Sequence, residues 1–297
     1  RDRPMTVRIT QQLLVSRSLT SLQTQMGRMA QAQERVSTGR LINRPSDSPS
    51  GTNQAMQLRE RLAANDQYAR NGQDALRWMG TVDTTLTDML DRTRKARDLV
   101  LQGASTGSTT PESRQALATE LKQIRDGLLD SANTTYLGRP VFGGTSGQAY
   151  AADGTFLGNE TDVTRRIGDG VQVDISTSGT EAFGDDGTGL FAVLDEAITA
   201  LESDPAGDLQ TSIKQIDGAL ERMRTAAADV GARYARVESA MSALDGATLD
   251  TKTALADVEN IDVAEAILDL QMQEVAYQAS LGATARVLQP SLMDFLR

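Results

Sequence analysis

The chain has 297 residues and carries 30 Lys and Arg against 40 Asp and Glu, a formal net charge of −10. It contains no Cys and no His, which removes the usual ligands of zinc sites, the cysteine nucleophile and the Ser-His-Asp triad. The negative charge argues against nucleic acid as the main partner. The sequence has no apolar run of about 18 residues, so we expect no membrane insertion. We also expect no cofactor, no metal and no enzymatic activity.

The two ends of the chain are complementary in charge and share one apolar period. Residues 1–45 contain eight Arg and two acids, whereas residues 241–297 contain nine acids and three basic residues. Apolar residues recur in both segments with alternating gaps of four and three, and near the C-terminus the pattern continues to Leu292 and Phe295. Such heptads are typical of helices that pair lengthwise. We therefore predict that the two ends pair and that they assemble through a seam formed by Leu19, Leu22, Met26, Met29, Ile267, Leu270, Tyr277, Leu281 and Leu288.

Two long helical segments are predicted between these ends. The Pro- and Ser-rich stretch 43–51 ends the first helix, and apolar residues near heptad phase then extend over 52–102. A second long segment follows over 209–258. Few bulky residues are available, since apolar residues make up 39% and aromatic residues 4% of the chain. The sequence therefore predicts a mainly α, elongated protein whose helices bury narrow seams.

A small β-rich insert separates the two helical halves. Glycine recurs over 136–188, Val171–Ile175 alternates apolar and polar residues, and Gly168-Asp169-Gly170 is typical of a hairpin turn. The helices are ordered almost symmetrically about the insert. We therefore expect its two ends to lie close together, and its shortening to leave the helices folded.

The acidic and glycine-rich motifs of the insert match no known site. The segment 138–144 lacks the spacing of a phosphate-binding loop, and Asp185-Asp186-Gly187 lacks the distal Glu of a calcium loop. A carboxylate-based enzyme using Glu181, Asp185 or Asp186 is the alternative from a different class, and an adhesive insert is another. Exposed turns explain these acids without catalysis.

Three segments resemble the bacterial flagellin superfamily. Residues 36–49 read VSTGRLINRPSDSP and are similar to the family pattern S-[ST]-G-[KR]-x-[IV]-x-x-[PA]-S-D-[DS]-P. Residues 131–144 read SANTTYLGRPVFGG and resemble the A-N-T-x…G-[RK]-Y-[IL]-F-[AG]-G pattern of its hook–filament junction branch, except that Pro140 replaces the aromatic residue. Residues 276–296 resemble the closing helix of the family.

The resemblance implies a terminal coiled-coil domain (5–42 and 262–297), a helical rod domain (43–135 and 189–261) and a β-rich outer domain (136–188). It implies a structural adaptor that joins the hook to the flagellin filament, with flagellin, the filament subunit itself, as the alternative. The implied partners are the first hook-associated protein, flagellin, further copies of the chain in a ring or helical layer, and an export chaperone. Export through the flagellar type III apparatus places such a protein in the extracellular flagellum.

Overall fold

The computed structural model describes residues 5–105, 110–203 and 208–288, and within these ranges it contains seven helices and four short strands. The helices are α1 (Met5–Thr38), α2 (Pro49–Gly103), α3 (Pro111–Ala132), α4 (Gly179–Phe183), α5 (Leu190–Glu202), α6 (Leu209–Glu259) and α7 (Val263–Leu288). The strands are β1 (Thr135–Tyr136), β2 (Arg139–Pro140), β3 (Thr164–Gly168) and β4 (Val171–Asp174). The predicted mainly helical fold with a small β-rich insert is confirmed.

The described residues form two compact units. The central unit is Ala64–Ala247, and the terminal unit consists of the described residues of Arg1–Ala63 and Thr248–Arg297. The division into three domains made from the sequence stays a prediction. The predicted continuation of the seam to Leu292 and Phe295 lies outside the described residues.

In the terminal unit, α1 packs against α7. The chain leaves α1 through Gly39, whose φ of +70° suits a residue without a side chain. Beyond it, the Leu41 amide donates to the Glu259 carbonyl at 2.7 Å, and the Ile261 amide donates to the Gly39 carbonyl at 3.2 Å. The end of α1 therefore meets the start of α7, and the two helices run antiparallel.

The joint between α1 and α2 is built from local polar contacts. One carboxylate oxygen of Asp47 accepts the backbone amides of Arg44 at 2.9 Å and Asn43 at 3.1 Å. These bonds lower the pKa of Asp47, the Arg44 amide most of all. The hydroxyl of Ser48 accepts the Gly51 amide at 3.2 Å, and Pro49 opens the helix, where its missing amide hydrogen is not needed. The helix thus begins inside the stretch that was predicted to exclude it.

The central unit buries the apolar faces of α2, α3, α5 and α6 in one core. α3 packs against α5, and its start is capped by Thr110, whose hydroxyl accepts the Ser113 amide at 3.3 Å. The largest side chains on these helices that are almost fully buried all belong to this core. They are Trp78, Met79, Leu86, Met89, Leu121, Leu128 and Leu190.

The insert contains two antiparallel hairpins, β1–β2 and β3–β4. Its aromatic residues pack on the helices and on one another. The Phe183 ring lies 5.0 Å from Phe142, and the Tyr150 ring lies 5.1 Å from Phe191 of α5, both edge to face. All four residues are at most 3% exposed and belong to the same core as the helices. The insert therefore contributes to the core of the central unit.

Candidate assembly interface

The predicted seam residues of α1 divide into an inner and an outer set. Leu22 and Met29 are partly buried, whereas Leu19 and Met26 are 50% and 53% exposed. Ala32, one turn beyond Met29, is only 4% exposed. Residues three and four apart lie on one face of a helix but are offset around its axis, so a single partner helix covers one row of them and leaves the other exposed. The outer set is available to a neighbouring molecule.

The same division occurs on α7. Leu270 and Tyr277 are partly buried, whereas Ile267 and Leu281 are each 42% exposed. Leu288 is the last residue of α7, and its side chain lies outside the described part of the structure. Of the eight predicted seam residues whose side chains are described, four are partly buried and four are exposed.

A second apolar stripe on α7 escaped the sequence analysis. Leu268, Met272 and Val275 are 61%, 64% and 66% exposed, and Ala279 continues their spacing of four and three. This spacing is itself a heptad pattern, displaced from the predicted one. The signal is present in the sequence, but one heptad stripe is enough to predict a paired helix and hides a second one. α7 is therefore apolar on both flanks of its contact with α1.

A cavity of about 550 Å³ lies where α1 ends and α7 begins. Ala32 is the buried residue of its lining, Ile261 is half-buried, and the more exposed Leu41, Leu268 and Met272 complete the apolar part. Four charged side chains also line it: Arg35, Asp262, Glu265 and Asp269. The cavity therefore combines a largely exposed apolar lining with a net negative charge.

Charge complementarity between the two ends does not take the form of ion pairs between α1 and α7 in the described residues. Arg17 and Arg28 of α1 are exposed, as are Glu265 and Glu274 of α7, and no salt bridge is formed by any of them in this part of the chain. Exposed charges on paired helices steer association with other molecules more than they stabilise the pair. Both helices thus present apolar and charged groups outward.

The acids considered for catalysis do not converge. Asp185 and Asp186 line a groove of about 640 Å³, in which Asp186 accepts the Phe156 amide at 2.9 Å, whereas Glu181 lines a different groove beside Arg222. Among the described residues, no three Asp or Glu side chains are placed to bind a metal ion. None of the helices in the described ranges is long and apolar enough to cross a membrane.

Paired terminal helices that expose apolar stripes are typical of proteins that assemble with other molecules. The profile described as bacterial flagellin N-terminal helical region matches residues 9–146, and the profile described as bacterial flagellin C-terminal helical region matches residues 213–296. The chain belongs to the flagellin superfamily.

Curated relatives and solved structures extend this similarity. The chain is 25% identical to flagellar hook-associated protein 3 of Salmonella typhimurium over 92% of this chain and 95% of that protein. It is 24% identical to flagellin of Bacillus subtilis over 95% of this chain and 97% of that protein. The structure of a flagellar hook-associated protein from Vibrio parahaemolyticus superposes with a TM-score of 0.66 at 24% identity, covering 72% of this chain and 100% of that chain.

Proposed function

We propose that the chain is a structural adaptor of the bacterial flagellum that joins the hook, through the first hook-associated protein, to the flagellin filament. The observation that carries this proposal is the pair of uncovered apolar stripes on the terminal helices, in a chain similar along most of its length to a hook-associated protein. The adaptor works outside the cell, in the flagellum.

The stripes supply the driving force for assembly. Burial of one large apolar side chain contributes roughly 1.5–3 kcal/mol, so covering the outer residues of α1 and both flanks of α7 favours association strongly. Leu19, Met26, Leu268, Met272 and Val275 are all at least half exposed in the single chain. Soluble monomers rarely expose contiguous apolar surface of this kind unless another molecule covers it.

An adaptor placed between the hook and the filament needs partners on both sides. Components of the hook contact it on one side and flagellin on the other, and further copies of the chain complete its own layer, as a ring or a helical turn. An export chaperone covers the same apolar stripes before secretion. The terminal helices take part in each of these contacts, because both are apolar on more than the side they bury against each other.

Complementation of a strain that lacks its own junction protein tests the proposal. The unaltered chain is expected to restore filament growth on the hook. Leu281→Asp, at a position 42% exposed, is expected to abolish growth because the charge would be buried in the assembly. Leu101→Asp is the matched control, since Leu101 is 48% exposed on α2 in the central unit. Growth with Leu281→Asp, or its loss with both variants, would contradict the assignment of the interface.

The second candidate function is flagellin itself, the filament subunit. The comparable identity to Bacillus subtilis flagellin over almost the whole chain favours this candidate. Expression in a strain that lacks flagellin but retains its junction proteins separates the two. An adaptor adds at most a short layer to the hook tip, whereas a flagellin builds a long filament visible by electron microscopy.

A further inference from the structure

The tip of the β1–β2 hairpin carries a leucine that folding does not explain. Leu137 and Gly138 form the two-residue loop, and their φ values are +49° and +78°. Two-residue loops of this kind favour Asn, Asp or Gly at the first position, because other side chains are disfavoured in the left-handed region. Leu137 is also 83% exposed. Neither local conformation nor burial within the chain therefore selects leucine here.

The hairpin holds this leucine on a fixed stem. The Tyr136 ring packs edge to face on the buried Trp78 at 5.7 Å, and its hydroxyl donates to Asp74 at 3.3 Å. The Val141 amide donates to the Thr134 carbonyl at 3.0 Å below the strands. An apolar group on a fixed stem loses little conformational entropy when it binds, which favours a role in recognition.

The charge beside the tip is positive and unpaired. Arg139 is exposed and forms no ion pair within the described ranges. The tip therefore presents one apolar side chain and one cation together. The cavity of the terminal unit has the complementary features, an apolar lining that includes the buried Ala32 and the exposed Leu268, and three acids against one Arg. Its volume of about 550 Å³ leaves ample room for a leucine side chain.

We propose that Leu137 of one copy inserts into this cavity of a second copy, with Arg139 facing Glu265 and Asp269. Two different surfaces of the same chain then meet, so the contact is heterologous and repeats from copy to copy into a ring or a helical layer. The inference rests on the proposed function, since it assigns surfaces to the self-association that an adaptor layer needs. The strained leucine at the tip is explained by the contact it makes.

Cross-linking between two purified full-length variants tests this contact. The chain contains no Cys, so each variant carries a single reactive thiol. Thr135→Cys places the thiol on β1 beside the tip, and Asn260→Cys places the other at the cavity; both leave Leu137, Arg139 and the acids in place. A short bismaleimide is expected to join Thr135→Cys to Asn260→Cys as a mixed dimer. Leu101→Cys, exposed on α2, replaces Thr135→Cys as the control and is expected to give background yield.

Substitutions at the tip show whether the proposed groups make the contact. Adding Leu137→Asn is expected to lower the mixed-dimer yield by about tenfold or more, which corresponds to the loss of one buried leucine. Arg139→Glu is expected to lower it up to about fivefold, and Glu265→Arg in the second variant is expected to restore it. Leu137→Asn suits the turn, so its effect does not arise from misfolding.

Other outcomes would overturn the inference. Mixed dimers no more frequent than with Leu101→Cys, or Thr135→Cys homodimers in excess, would exclude the cavity of a second copy as the binding site. Intramolecular cross-linking of a Thr135→Cys/Asn260→Cys chain at high dilution would place the tip in its own cavity instead. Complementation separates this inference from the adaptor function: filament growth without mixed dimers refutes only the contact, whereas mixed dimers without filament growth refute only the adaptor.

Discussion

Asn133 is expected to be the side chain whose loss most weakens the attachment of the β-rich insert to the helices. It caps α3, and its Oδ1 accepts the Tyr150 amide at 2.9 Å while its Nδ2 donates to the Tyr150 carbonyl at 3.1 Å. Tyr150 is only 2% exposed. The side-chain amide of Asn133 thus makes the two hydrogen bonds to the buried backbone of Tyr150 that a neighbouring strand would otherwise make. Asn133→Ala removes it without adding bulk or charge.

The loss of stability in Asn133→Ala depends on which backbone groups of Tyr150 are left without a hydrogen-bond partner. In Asn133→Ala, the Tyr150 amide loses its partner, whereas the Tyr150 carbonyl keeps the Gln148 side chain, which donates at 2.8 Å. A buried donor without a partner costs about 1–3 kcal/mol, so we expect a destabilisation of about 2 kcal/mol. For a unit of this size, that corresponds to a fall of about 4–8 °C in the melting temperature.

Thermal unfolding of the full chain, followed by circular dichroism, measures this effect. Asn71→Ala is the control, because Asn71 also donates to a distant backbone carbonyl, that of Arg166 at 2.7 Å, but from a position that water reaches. We expect it to cost less than about 1 kcal/mol. Equal melting temperatures for the two variants would show that the Asn133 contacts do not hold the insert.

Three further predictions concern the hairpin tip, the joint and the insert. Leu137→Asn is expected to stabilise the monomer by about 1 kcal/mol, read from urea unfolding, because Asn tolerates the left-handed region; an unchanged midpoint would contradict the assigned strain. The pKa of Asp47 is lowered in the folded chain, so its ionised form contributes stability above the unfolded pKa. This stability is lost as pH falls through the folded pKa. Asp47→Asn is therefore expected to reduce the acid dependence of unfolding near pH 4 and below. Deleting 151–186 is expected to lower the melting temperature of the helices, because it removes Phe183 from the shared core; unchanged helical melting would show that the insert is independent.

The helix boundaries were predictable because their signals are local. The sequence placed the two long helices at 52–102 and 209–258, and the structure has them at Pro49–Gly103 and Leu209–Glu259. The small difference at the first start arises because Pro interrupts a helix but favours its first turn, where Ser48 supplies the cap. The β3–β4 hairpin was predictable for the same reason, from its Gly-containing turn.

Long-range packing was not predictable in the same way. Glycine-rich composition suggested a separable insert, yet the Tyr150 ring of the insert lies 5.1 Å from Phe191 of α5, a contact between residues far apart in the chain. Such a contact leaves no periodic signal in either segment. The strain at Leu137 was equally hidden, because Leu-Gly is not a typical turn pair and only the positive φ reveals it.

The uncovered stripes of the terminal helices link folding to assembly. A helix that is apolar on both flanks of its contact gains stability when other surfaces cover those flanks, since a single narrow seam offsets only part of the entropy of ordering. Neighbouring molecules that bind only the paired helices therefore stabilise the pair by mass action. The central unit has no such dependence, because Trp78, Leu86 and Leu121 are already at most 1% exposed within one chain. Under the proposed function, assembly on the hook and filament then adds stability to the α1–α7 pair, whereas the central unit is already packed in the single chain.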